Sequence, residues 1–311
     1  DIYREFSAKE ASMPLFSKGW WLDAVCGAGG WGVALIVENG EPIASMPYAQ
    51  VKKLGFKISW QPLFTQKLGP WIRGDKMDNN GRSLSVQKQM MNRLLDKIPR
   101  FDWSIQAFDH KYQYWLPFYW RGYQQVTKYT YLFEDISRPE ALYDNFDRSK
   151  KKNIARASGQ LKVKTGMGAQ AFYEFHRESL EKSGDKIRYP FNKFNDLHEA
   201  VMKKQCGQVL FAEGDDGIHS ALFIVWDGNF GYNLISAMDP GHKSSGAGTL
   251  LVYGAIKFLS GRTGGFDFCG SMIEGVEQSF RRFGAKPVPY FQVSKICSWP
   301  LRAYHCLNPR I

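Results

Sequence analysis

No two cysteines in this chain stand at C-x-x-C spacing, and the five present, at positions 26, 206, 269, 297 and 306, are odd in number and scattered. That pattern argues against a zinc cage or a disulfide framework and for a reducing, cytoplasmic compartment. His305 and Cys306 are neighbours, but adjacent residues of a strand face opposite ways, so no metal site is expected there or elsewhere. Long apolar runs are missing too, which excludes a membrane-spanning helix. The opening DIYREFSAKEASMPLF has no apolar core of the kind a signal peptide needs. Recognisable Ser/His/Asp or Cys/His nucleophile sets are absent. Acidic residues are in short supply: 30 Asp and Glu face 41 Lys and Arg, leaving a net charge of +11.

An excess of that size favours a polyanionic partner, whether nucleic acid, a nucleotide-linked substrate, a cofactor phosphate or the anionic face of a membrane touched peripherally. Its densest cluster is RSKKKNIAR (148–156), followed by Arg281-Arg282. With 311 residues, 44% hydrophobic and 15% aromatic, the chain has material for two cores.

One order of elements occurs twice. WGVALIV, the turn ENGE and PIASMPY read as a hairpin; FKISW, a helix around 83–97 and the strand FDWSIQAF follow. Later, QVLFA, the turn EGDDG and IHSALFIVW form a second hairpin, followed by FGYNLISAM, a helix from Thr249 to about Leu259, and FDFCGSM. Phe101-Asp102-Trp103 echoes Phe266-Asp267-Phe268, while Gly122 and Val126 echo Gly284 and Val288. The repeat period is a whole domain. The expected boundary lies in DISRP, giving domains 1–137 and 138–311. After it, EALYDNFDRSKKKNIARAS is expected to be helical with an exposed basic face, and 169–182 forms another helix. SGDKIRYPFNKF is expected to be a specificity loop.

Before the helix at Thr249 stands KSSGAG. Glycines 246 and 248 leave the backbone uncluttered, and a helix start aims unpaired N–H groups at the loop, a setting that suits a diphosphate. The corresponding loop of the first half is expected at TQKLGP, where Pro70 removes a donor.

This order of elements, with Lys243-Ser244-Ser245-Gly246-Ala247-Gly248, resembles the GNAT acyltransferases, whose pyrophosphate loop reads Arg/Gln-x-x-Gly-x-Gly/Ala. The tandem arrangement, the helix SKKKNIARA and the segment FDFCGS…GV…F…FGA resemble the FemABX-like branch, the peptidoglycan-bridge, methicillin-resistance type. The resemblance implies an α+β fold of two tandem GNAT-like domains, each a mixed, mostly antiparallel sheet flanked by helices. It further implies an N-acyltransferase in which an amine directly attacks an acyl or aminoacyl group. The donor co-substrate, acyl-CoA or aminoacyl-tRNA, would rest on Lys243, Ser245, Gly246, Ala247, Gly248 and Thr249, with no permanently bound cofactor. The amine acceptor, nucleotide-linked or a cell-wall precursor, would meet Asn233, Ser236, Arg281 and Arg282.

Asp267, Glu274 and Tyr290 are the candidate acid and base groups; Cys269 reads as a small buried hydrophobe. Two rival readings are a nucleic-acid-binding protein without catalysis and a degenerate, inactive GNAT-fold assembly protein. Gly248→Asp is expected to abolish stabilisation by a phosphorylated donor, and thermal shift with acetyl-CoA checks it.

Overall fold

The computed structural model describes residues 2–74, 81–270 and 272–307. The chain runs α1 (Ile2–Lys9), α2 (Gly19–Cys26), β1 (Trp31–Glu38), β2 (Glu41–Ala49), β3 (Val51–Lys53), β4 (Phe56–Ser59), β5 (Trp71–Ile72), α3 (Gly81–Lys97), β6 (Trp103–Ala107), α4 (Leu116–Tyr119) and β7 (Gln124–Phe133). It continues through α5 (Pro139–Asp144), α6 (Arg148–Ser158), β8 (Lys162–Thr165), α7 (Ala169–Lys182), α8 (Phe191–Lys203), β9 (Gly207–Gly214), β10 (Gly217–Trp226) and β11 (Phe230–Met238). The remaining elements are α9 (Ala247–Leu259), β12 (Gly265–Asp267), α10 (Glu274–Arg281), β13 (Lys286–Ile296) and α11 (Trp299–Leu307). No described helix is long and apolar enough to cross a membrane.

Both expected hairpins form. Asn39 and Gly40 sit at φ +50 and +81, the doubly left-handed turn that Asn-Gly favours, and β1 pairs antiparallel with β2. β9 and β10 pair likewise. The echoed glycines have a local cause. Gly122 (φ +77) donates to the Tyr119 carbonyl at 2.9 Å and Gly284 (φ +79) to that of Arg281 at 2.9 Å. Each ends a helix, α4 or α10, in a left-handed turn that a side chain would strain.

The chain divides into residues 1–128 with 289–311, and residues 129–288. This differs from the expected 1–137 and 138–311, for a reason of strand pairing. β13, the last strand of the second repeat, pairs with β6 in the first unit, Gln292 against Ala107 through Ile296 against Trp103. β7, the last strand of the first repeat, pairs with β12 in the second unit, Phe133 against Phe266. The repeats have exchanged their closing strands.

The first unit contains the small sheet β1-β2-β5 and the order β3-β4-β6-β13; the second has the order β7-β12-β11-β10-β9-β8. In the first, Met90, Met91, Leu94 and Leu95 of α3 pack with Ile36, Ala44 and Phe108. In the second, α9 buries Leu250, Leu251, Ile256 and Leu259 against Leu222, Ile224 and Phe266. Full burial of each such side chain contributes about 1.5–3 kcal/mol.

Three further expectations are corrected. TQKLGP does not lead into α3: β5 intervenes, Lys67 is buried with its Nζ 3.1 Å from His110 Nδ1, and residues 75–80 lie outside the described set. SGDKIRYPFNKF is only partly loop, because α8 begins at Phe191 and buries Phe194. His305 and Cys306 sit on helix α11, not a strand. The basic segment is also broken in two, since Asp147 caps α6 by accepting the Ser149 N–H at 2.8 Å. Asp147→Ala should cost about 1 kcal/mol of stability and lower the melting temperature by about 2–4 °C, read by differential scanning calorimetry.

Candidate functional site

The site of the second unit starts from a strand whose pairing stops midway. β11 runs parallel to β12 only over Phe230–Gly265, Gly231–Phe266 and Tyr232–Asp267. β12 ends at Asp267, while β11 continues to Met238, bonded to β10 on its other side. From Asn233 onward, β11 has no ladder partner on the edge that faced β12 among the described residues. A bulge lies along the same stretch: Ile224 opposes Asn233 and Phe223 opposes Ile235, leaving Leu234 over. Ser236 is exposed and donates to Asn233 Oδ1 at 2.8 Å.

Asp267 is what holds β12 to this length. With no exposed surface, its Oδ1 accepts from the Thr130 hydroxyl on β7 and from the Cys269 N–H at 2.8 Å. It therefore anchors a strand end and does not meet a substrate. Asp102, its counterpart, likewise accepts the Lys57 N–H at 2.9 Å and ties β4 to β6. Cys269 follows at φ +62, an uncommon conformation for a residue with a side chain, and is buried.

Beyond β11 lies the glycine loop. Gly246 caps α9 at φ +85, and a Cβ there would lie 2.6 Å from the Asn153 carbonyl oxygen of α6. Only glycine lets the two backbones meet. The first intrahelical bond is Leu250 N to Gly246 O at 3.0 Å, so the Gly248 and Thr249 amides precede the ladder; that of Ala247 is met by Ser245 Oγ at 3.2 Å. Lys243 is exposed at the loop's start. A Cβ on Gly248 would meet Met238 Cε at 2.7 Å, so a side chain there displaces the methionine tip. Arg156 donates to Asn153 Oδ1 at 3.1 Å, which puts a guanidinium on the helix that touches this loop.

The stem of the loop is fastened by a cluster that sequence reasoning passed over. His242 bonds Asp239 Oδ2 through Nδ1 at 2.7 Å and Asp216 Oδ2 through Nε2 at 3.1 Å. Carboxylates at both ring nitrogens favour the charged imidazolium, and its pKa is raised by Asp239 first and Asp216 next. Asp216 also meets His219 Nε2 at 2.6 Å, and the two histidines hold its pKa at about 2. Lys182 reaches Asp239 at 3.3 Å.

Asp216, His219 and His242 bring three potential ligand atoms within 4.8 Å of one another. Their rings are stacked 3.8 Å apart and 18° from parallel. No point lies in both ring planes at the bonding distance of about 2 Å that zinc requires, so hydrogen bonding accounts for the group.

A second polar set lies on α10. The Tyr131 hydroxyl on β7 donates to Glu277 Oε1, and Arg281 Nε stands 3.3 Å from the same oxygen. Burial and then Glu277 push the Tyr131 pKa up to about 12, so the hydroxyl serves only as a donor. Lys150, at 7% exposure, donates to Ser279 Oγ at 2.7 Å and lies 4.2 Å from the Phe283 ring centroid. Burial, helped by Arg282, pulls its pKa to about 8. The expected exposed basic face of α6 thus has one buried lysine.

Of the expected groups, Glu274 is exposed at the start of α10, Arg281 and Arg282 are exposed at its end, and Tyr290 lies on the part of β13 that belongs to the first unit. Asp267 and Glu274 thus belong to the second unit and Tyr290 to the first. Glu277, Tyr131 and Lys150 were missed; the spacing of Glu274, Glu277 and Arg281 on one helix was their only trace in sequence.

A strand that parts from its neighbour and leads into a glycine-started helix defines a GNAT-type acyltransferase fold. Residues 144–278 match the family profile of the acetyltransferase (GNAT) domain, a little under half of the chain, so the second unit carries such a domain. Over its whole length the chain is similar to FemX, with a TM-score of 0.71 and 11% identity, covering 97% of each chain. It is also similar to L-PGS from Bacillus licheniformis (TM-score 0.54, 10% identity, 90% of this chain and 89% of that one). A tandem GNAT protein from the clavulanic acid biosynthesis pathway gives a TM-score of 0.50 at 9% identity, over 89% and 94%. At such identities the likeness is one of fold: the chain has a tandem GNAT fold similar to that of FemX. No curated protein matches it in sequence.

The His242 link carries a pH signature. Its folded pKa lies above the unfolded value, so its stabilisation is complete below about pH 6.5 and is lost as pH rises through the higher folded value. Asp216 acts oppositely: its contribution is present above about pH 3.9 and lost as pH falls toward its folded value of about 2. Between pH 6 and 9 the melting temperature should fall more for the wild type than for His242→Gln; parallel curves would refute the link.

Proposed function

We propose that the protein is an N-acyltransferase that moves an acyl or aminoacyl group from a phosphorylated carrier to an amine, by direct attack. The unpaired edge of β11 running into the amide-bearing start of α9 is the observation that carries this reading. The carrier's diphosphate rests on the Gly248 and Thr249 amides, with Ser245, Gly246 and Ala247 forming the turn and Lys243 and Arg156 adding positive charge. Its acyl arm lies along Asn233–Met238, where free peptide groups hold the carbonyl by hydrogen bonds.

The amine nitrogen forms a bond to the carbonyl carbon, the carbon–sulfur or carbon–oxygen bond to the carrier breaks, and the amine's proton passes to a carboxylate. Glu277 is the group for that step. It is partly exposed, fixed by Tyr131 and close to Arg281, whereas Asp267 is sealed away. Tyr131 positions Glu277, and Lys150 positions α10 through Ser279. Arg281 and Arg282 serve an acceptor phosphate.

The charge excess favours two donors, a coenzyme A thioester and an aminoacyl-tRNA. A thermal-shift series with acetyl-CoA, longer acyl-CoAs and charged tRNA distinguishes them. Arg156→Glu should weaken donor binding about tenfold or more without changing the unliganded melting temperature, since that side chain is exposed. With a donor found, Glu277→Gln should lower kcat by about 10²-fold at little change in donor Kd. Full activity in Glu277→Gln would remove that carboxylate from the mechanism, and no donor stabilisation at all would remove the proposed site.

A further inference from the structure

A hairpin and a helix of the first unit expose apolar side chains where solvent would ordinarily select polar ones. The tip joining β3 to β4 is Leu54-Gly55, at φ +51 and +82. The first of these positions favours Asn, Asp or Gly, yet here holds a branched apolar residue that is 90% exposed. Behind the tip, Lys52 stands directly opposite Lys57 in the pairing, with Lys53 beside them. Like charges across a strand pair destabilise it. None of the three ammonium groups has a carboxylate within 4.0 Å among the described residues, and Asp102 meets Lys57 through the backbone amide alone.

The helix α11 is similarly inverted. Leu301 and His305 are its half-buried positions, His305 lying against Trp103 with ring centroids 5.6 Å apart. The opposite face carries Trp299 (79% exposed), Ala303, Cys306 and Leu307 (82%), one stripe at helical spacing. Trp103 also meets Trp60 at 6.1 Å, and Lys53 lies 5.5 Å from the Trp60 ring centroid. An aromatic chain of Trp60, Trp103 and His305 therefore links the hairpin to the helix.

We infer that this side of the first unit docks on an anionic lipid surface. Leu54 and the Trp299–Leu307 stripe enter the region between headgroups and acyl chains, and Lys52, Lys53 and Lys57 lie over the phosphates. Opposite-sign charge beside an apolar tip and an aromatic residue is the chemistry of an interfacial anchor. Its one described arginine on α11, Arg302, is tied through Nε to the Ile296 carbonyl at 2.8 Å, and the lysine pair repels a second copy of itself. The surface lies outside the proposed donor site, so either can stand without the other.

Co-sedimentation of the full chain with phosphatidylcholine vesicles, with and without about one-quarter phosphatidylglycerol, tests it at about 100 mM and about 500 mM salt, between which the Debye length falls from about 10 Å to about 4 Å. Binding is expected to the anionic vesicles at low salt and to fall about tenfold or more at high salt. Leu54→Ser with Trp299→Ser, and separately Lys52→Glu with Lys57→Glu, should each lose about tenfold while keeping the wild-type melting temperature. Wild-type binding by both variants overturns the assignment, as does no binding to anionic vesicles. So does RNA binding, or a dimer seen by light scattering, that depends on these residues in the absence of vesicle binding.

Discussion

The site depends on where one pair of strands stops bonding. Continuous pairing of β11 with β12 would consume every peptide group on the β11 edge and leave a closed sheet there. Pairing ends at Tyr232 and Asp267 because β12 turns away there, and Asp267 fixes that turn by accepting from Thr130 and from the Cys269 amide. A buried carboxylate is costly unless it is bonded; this one is bonded to both sides of the departure. The left-handed Cys269 and Gly270 that follow complete the change of direction. A residue of catalytic type thus has an architectural task.

Much of the fold was readable because it is local. Asn39-Gly40 forces a hairpin turn, the glycine-led run from Gly246 forces a helix start, and Gly122 and Gly284 mark the ends of equivalent helices. The geometry of the glycine loop was legible for the same reason, since KSSGAG carries it in six consecutive residues.

What escaped is non-local. That β13 closes the first unit follows from competition among strands distant in the chain, and nothing in PYFQVSK states its partner. Tyr131 and Glu277 are 146 positions apart, and their meeting depends on β7 having crossed into the second unit. Lys150 sits in a run of lysines that reads as a solvated face, yet it shares the buried face of α6 with Ile154 and Ala157. The Asp216–His219–His242 group was invisible because its members come from a turn, a strand and a short helical turn, none with a repeating pattern.

The exchange of closing strands also sets an order of events during synthesis. The first unit lacks a strand until residues 289–296 have been made, so about half of the polypeptide must wait beside the ribosome with β6 lacking that neighbour. An exposed strand edge is a template for wrong partners. The second unit, by contrast, receives β7 early and can close once β12 appears. Maturation therefore proceeds from the middle of the chain outward, and a truncation that spares every residue of the glycine loop can still leave the amino-terminal half unfinished.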